Sequence, residues 1–162
     1  METNRRKVLA GAAVLSALLT GCARGATRVE TGAAPAGAAG CRPGMLEVIR
    51  VTTGPGGKSR YERVSVLGSP GALPVAEVRM GCIAPGIEDW HVAPRKLFTI
   101  NVKGDIRGEF GDGTSVPIGK GDLVYLEDIT GQGHITHLLT EVANIFIVVE
   151  PEFDFDAWAR GG

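Results

Sequence analysis

An all-β sandwich or barrel is the fold class predicted for residues 41–162, and three observations predict it. Short stretches alternate apolar and polar residues at period two. Glycine-rich turns separate them at intervals of about 8 to 12 residues. No stretch with helical periodicity appears before residue 153.

Residues 46–51 (Leu-Glu-Val-Ile-Arg-Val), 61–67 (Tyr-Glu-Arg-Val-Ser-Val-Leu) and 75–80 (Val-Ala-Glu-Val-Arg-Met) read as the first strands. Each offers one apolar face to a core. Turns at 54–57 (Gly-Pro-Gly-Gly) and 68–71 (Gly-Ser-Pro-Gly) set them apart. The segments 97–102, 105–110, 122–126, 135–139 and 143–149 continue the series, with Gly-containing turns at 103–105, 111–113 and 119–121. Residues 153–160 read as one or two terminal helical turns. The run Gly-Pro-Gly-Gly-Lys-Ser at 54–59 looks like a phosphate loop, but that motif needs glycine where Thr52 stands. A hairpin turn is expected there instead.

Proton or metal chemistry near neutral pH rests on three histidines, His91, His134 and His137. His91 lies in Trp90-His91-Val-Ala-Pro-Arg95, and His134 in Glu127-Asp-Ile-Thr-Gly-Gln-Gly-His134-Ile-Thr136. Together with Gly104 and the 117–124 run Pro-Ile-Gly-Lys-Gly-Asp-Leu-Val, these segments resemble the two half-motifs of the cupin superfamily. The resemblance covers roughly residues 75–149. It implies a double-stranded β-helix, a jelly-roll barrel, with a site built on His91 and His134.

Two departures from the cupin pattern bear on the site. Asp89 stands where the first histidine of His-x-His belongs, and the expected glutamate falls at Lys96 or Leu97. On an unbroken strand Asp89 and His91 share a face. With His134 they would then give two imidazoles and a carboxylate, the facial set that takes Fe(II) and also accepts Mn or Zn. In the other reading Asp89 caps a turn, and the two histidines hydrogen-bond inside a metal-free barrel. Arg95, Trp90, Glu127 and Thr136 are further candidate ligand contacts, though Glu127, before a Gly-x-Gly turn, could instead accept backbone N–H groups. Arg95 could meet a substrate carboxylate or form a salt bridge to Glu127 or Asp128. Trp90 could stack on a ligand or pack on the outer face of the sheet. His137 is three residues past His134, so it is expected on the opposite, exposed face.

The N-terminus carries a second set of expectations. A basic head (Arg5, Arg6, Lys7), an apolar run over 8–19 and Leu-Thr-Gly-Cys at 19–22 have the build of an export signal. Leu-Thr-Gly-Cys22 resembles the bacterial lipobox, and the arginine pair resembles a twin-arginine leader. The resemblance implies a signal peptide over 1–21, lipidation at Cys22, and an exported protein anchored on the outer face of the cell membrane. Residues 22–40, rich in Ala, Gly and Thr, read as a flexible tether, and 41–162 as the cupin domain.

Charge excludes little and suggests little. The chain carries a net −1, and without its leader's +2 the mature chain is near −3. No basic stripe points to nucleic acid. In an oxidising compartment Cys41 and Cys82 could form a disulfide, or remain two independent thiols. A barrel edge strand offers a route to a homodimer. Two functions stay open: a tethered module binding a small, acidic molecule, or a metal-dependent oxygenase, isomerase or lyase.

Overall fold

The computed structural model describes residues 45–67 and 70–161. The leader, the tether, Cys22 and Cys41 lie outside the described residues. Ten strands form more than half of the described chain: β1 (Met45–Thr53), β2 (Ser59–Leu67), β3 (Val75–Ile83), β4 (Gly86–His91), β5 (Leu97–Lys103), β6 (Ile106–Phe110), β7 (Ser115–Ile118), β8 (Leu123–Leu126), β9 (His134–Leu138) and β10 (Val142–Val149). A short helix, α1 (Phe155–Ala159), follows.

The last eight strands pair concentrically. β6 pairs with β7, β5 with β8, β4 with β9 and β3 with β10, all antiparallel. One long ribbon is thus folded back on itself and wound so that its two halves become facing sheets. The sheet orders are β2-β1-β8-β5-β10-β3 and β4-β9-β6-β7. This is the jelly roll, the all-β architecture predicted from the sequence. β1 and β2 add a hairpin to the first sheet through a parallel pairing of β1 with β8. The turn at 54–57 is the hairpin connection, as expected.

Two strands escaped the alternation pattern. β7 contains Pro117, which cannot donate to a ladder; it sits at the sheet's edge, where that donor is not needed. β4 has no clean alternation because it is bulged, and that bulge reshapes the site.

Two apolar cores lie on opposite faces of the six-stranded sheet. Between the sheets, Ile49, Val51, Ile106, Phe110, Val116, Ile118, Val124, Leu138 and Val142 form the barrel interior. On the outer face, Val48, Val66, Phe98, Tyr125 and Val149 pack against Phe153, Phe155 and Trp158 from the C-terminal segment. Asp154 caps α1 by accepting the Ala157 N–H at 2.9 Å, and Trp158 Nε1 donates to the Gly71 carbonyl at 2.7 Å. These contacts fix α1 over the sheet.

Candidate functional site

The barrel interior encloses a cavity of about 410 Å³. Most of its wall is aliphatic or aromatic, with Leu97, Ile106, Phe110, Ile118, Val124 and Phe146 among the residues that line it. The polar groups on the wall are few: Arg79, Glu88, His91, Thr99, His134, Thr136 and Asn144. An apolar chamber with a handful of placed polar groups is the usual form of a small-molecule site.

His91 and His134 are cross-strand partners at the end of β4 and the start of β9. Their ring centroids are 4.5 Å apart. The close approach depends on Gly133. A Cβ built there would stand 1.9 Å from the His91 carbonyl oxygen, and its φ of 73° is one that side chains rarely adopt. Ser59, itself buried, donates from Oγ to the Gly133 carbonyl at 2.5 Å and accepts the Gly111 N–H at 2.8 Å. The loop before β9 is therefore fastened on both sides.

Both imidazoles are held by Nδ1. The His91 ring donates to the backbone carbonyl of Asp89 at 2.7 Å. The His134 ring donates to Asp128 Oδ2 at 2.6 Å. Asp128 is fully buried, and its Oδ1 has no partner among the described residues. In the neutral imidazole, a carboxylate or carbonyl accepting from Nδ1 fixes the tautomer and puts the lone pair on Nε2. The result is a pair of imidazole acceptors on one wall of an apolar chamber.

The carboxylate predicted to join them does not. Between Glu88 and His91, three residues of β4 advance against two of β9, from Glu88 opposite Thr136 to His91 opposite His134. This bulge breaks the alternation. Glu88 therefore shares the cavity with His91, while Asp89 is exposed and accepts the Trp90 N–H at 2.8 Å. Among the described residues no group of three or more His, Cys, Asp or Glu is placed to hold a metal ion. Two imidazoles with Nδ1 engaged are what a metal ligand pair looks like, but the facial triad is not assembled here.

The other nominated contacts divide. Thr136 lines the cavity. Trp90 is exposed outside it. Arg95 pairs with Glu77, which also meets Arg79 at 3.0 Å. The hydrogen bond from Arg95, opposed by weak desolvation and helped by Arg79, holds the Glu77 carboxyl below the usual range. Arg79, not Arg95, is the arginine on the cavity wall. Glu127 faces the other way and binds Arg50 at 2.6 Å. Arg50 also reaches Asp156 at 3.0 Å and lies 4.7 Å from the Phe155 ring centre. Burial pulls the Arg50 guanidinium down, but Glu127 and Asp156 outweigh it and the net shift is upward. His137 is on the face away from the cavity, as expected, but its side chain is mostly covered rather than exposed. It is not free there, because its Nε2 meets Glu109 at 2.9 Å.

Cys82 is an exposed residue of β3 with a free thiol. The partner expected for it in a disulfide, Cys41, lies outside the described residues. Cys82 is also close enough to Lys103 and Glu141 to affect both.

The sequence did not point to Asp128 as the partner of His134, nor to Glu88, Arg79, Thr99 and Asn144. Asp128 carried a signal, since an acidic residue before a Gly-x-Gly turn tends to bond something in the loop. Glu88 carried none, because nothing in the sequence marks the bulge.

The fold and site define a jelly-roll barrel with a histidine-bearing cavity between its sheets. No protein-family model matches the chain, and no curated protein matches it. Among solved structures, it is similar to protein NMB1881 of Neisseria meningitidis, with 14% identity over 63% of this chain and 82% of that one, at a TM-score of 0.39. It is also similar to a Salmonella typhimurium protein named for ethanolamine utilization (protein Q). There the identity is 16% over 67% of this chain and 98% of the other, at a TM-score of 0.31. The jelly-roll assignment rests on strand order and pairing, and these likenesses carry no argument about function.

Proposed function

We propose that the protein is a binding module that holds a small weak acid with an apolar body inside the barrel. The observation that carries this reading is the His91–His134 pair. Both rings line an apolar cavity with Nδ1 already engaged, so each neutral ring has Nε2 left to accept an O–H or N–H proton. The apolar wall takes the body of the ligand, at about 25 cal/mol for each Å² removed from water. Arg79 at the rim favours ligands that carry negative charge. Buried Asp128 is a positioning residue: it keeps the His134 proton on Nδ1.

Phenol is a minimal probe with an acidic O–H on an apolar ring. Titrated into the isotopically labelled protein, it should shift the His134 imidazole nitrogens saturably. His134→Ala should weaken its binding roughly tenfold, the worth of one hydrogen bond between neutral partners. No saturable binding to wild type would defeat the reading.

The metal-dependent enzyme has one observation in its favour, the two engaged imidazoles, and it lacks the third donor. Titration of wild type, His91→Ala and His134→Ala with Zn(II), Mn(II) and Fe(II) decides it. Stoichiometric uptake by wild type alone would restore the metal reading.

The cellular setting belongs to the same proposal and rests on the first 22 residues of the sequence. A lipid anchor at Cys22 would present the barrel outside the membrane. Cys22→Ala should release the protein from the membrane fraction; unchanged partitioning would refute the anchor.

A further inference from the structure

The cavity has a second polar patch opposite the histidines, and no part of the fold uses it. Asn144 on β10 is buried, at 7% exposure, and lines the cavity. Its Oδ1 has no partner, and no hydrogen bond reaches its side chain among the described residues. Thr99 on β5 lies diagonal to it, since Asn144 pairs with Asn101 and Phe146 with Thr99. Thr99 is buried at 8%, also lines the cavity, and makes no side-chain hydrogen bond among the described residues. Asn101, the direct neighbour, differs. It lies outside the cavity wall, and its Nδ2 donates to the Gly104 carbonyl at 2.8 Å, fixing the turn after β5.

Buried polar groups in folded proteins almost always have partners, and those that lack them call for a reason. Asn101 has a structural one. Asn144 and Thr99 have none, and they face a cavity whose other wall carries the histidine acceptors. Leucine at 144 would make a better wall for a barrel that only had to fold.

From this we infer that Asn144, with Thr99, is a recognition site for a second polar group on the ligand. The carboxamide can donate and accept, as can a hydroxyl. The ligand class is then a two-ended molecule: an acidic O–H or N–H at His134, an apolar middle, and a hydroxyl or amide at Asn144. This inference rests on the binding reading above and narrows it.

Hydroquinone differs from phenol only by a second hydroxyl across the ring, so the pair separates the two ends of the site. With hydroquinone kept reduced under argon, wild type should bind it about tenfold more tightly than phenol. In Asn144→Leu that preference should fall below about threefold, while phenol still shifts the His134 imidazole nitrogens saturably. The ligand-free variant should also melt higher than wild type, by about 3 °C, because an unpartnered buried amide has been removed.

If phenol binds but hydroquinone gains nothing, the second site is refuted and the histidine site stands. If the preference survives in Asn144→Leu, the extra hydroxyl is read elsewhere and Asn144 is not the recognition group. A lower melting temperature in the variant would show that Asn144 is structural, pairing with the otherwise unpartnered Asn101 Oδ1, and would also overturn the proposal. If phenol itself does not bind, both readings fall together.

Discussion

The two faces of the six-stranded sheet are built from similar apolar strands, yet one core is filled and the other is hollow. On the outer face, Phe98, Tyr125, Phe153, Phe155 and Trp158 interlock, with Tyr125 and Phe155 stacked at 4.9 Å and Phe98 and Trp158 edge-on at 5.2 Å. The aromatic rings contribute large buried areas and pair geometries worth more than area alone. The inner face is lined mostly by aliphatic side chains and leaves about 410 Å³ open. Three of its polar wall residues, Thr99, His134 and Asn144, are themselves buried, as is the neighbouring Asp128. Cores are normally packed to crystal-like density. A face that stays hollow, next to one that is packed, is what the binding proposal requires.

Trp158→Ala breaks the filled core and should give the largest effect. It should cost about 3 to 5 kcal/mol of stability, measured by urea unfolding, while phenol affinity in the cavity stays the same. An equal loss of binding would show that the two cores are not independent.

Gly133→Ala attacks the hollow side. The new Cβ would collide with the His91 carbonyl at a φ unsuited to alanine. A cost of about 2 kcal/mol or more is expected, together with loss of the imidazole shifts that phenol produces. Wild-type stability in this variant would mean that the loop does not set the histidine pair.

Enlarging a side chain on each face compares them directly. Val66→Phe overfills the aromatic core and should cost about 1 to 3 kcal/mol. Ile106→Phe grows into the cavity, so its cost should stay within about 1 kcal/mol, and it should block phenol. Equal penalties in thermal melts would contradict the difference in packing.

The smallest effect concerns pH. The Ala157 N–H bond holds the Asp154 carboxyl below the usual range, against a little desolvation and aided by the Asp156 N–H, Arg160 and Lys96. A lowered folded value means the cap contributes above the ordinary Asp pKa and is lost as pH falls through the folded one. Trp158 fluorescence should therefore report loosening of α1 at acid pH, and Asp154→Asn should flatten that response. A pH response unchanged in the variant would remove the cap from the account.

Most of the fold was legible in the sequence, because strands with one buried face must alternate. The segments at 46–51, 61–67, 75–80 and 143–149 all lie within observed strands. The two strands the pattern missed are the ones with an interrupted period: β7 holds a proline and β4 holds a bulge. The site was legible only in part. His91, His134 and Thr136 fall on the cavity, since their half-motifs mark strand ends on the barrel wall. Asp89 was placed by counting in twos, and one extra residue put Glu88 there instead. Arg95 and Glu127 follow a charge logic that sequence cannot resolve: each sits close in sequence to the site yet finds its partner, Glu77 or Arg50, outside the cavity. Asn144 reads in sequence as one polar residue in an apolar strand. Only the cavity beside it shows that its amide is unpartnered.

The most direct test of the proposal that the hollow interior binds a ligand is a crystal structure of the protein soaked with phenol. The account predicts one ring between the two sheets, its oxygen within hydrogen-bond distance of His134 Nε2, and no probe in the aromatic core under α1. A barrel whose side chains close the cavity, or phenol bound only elsewhere, would contradict it.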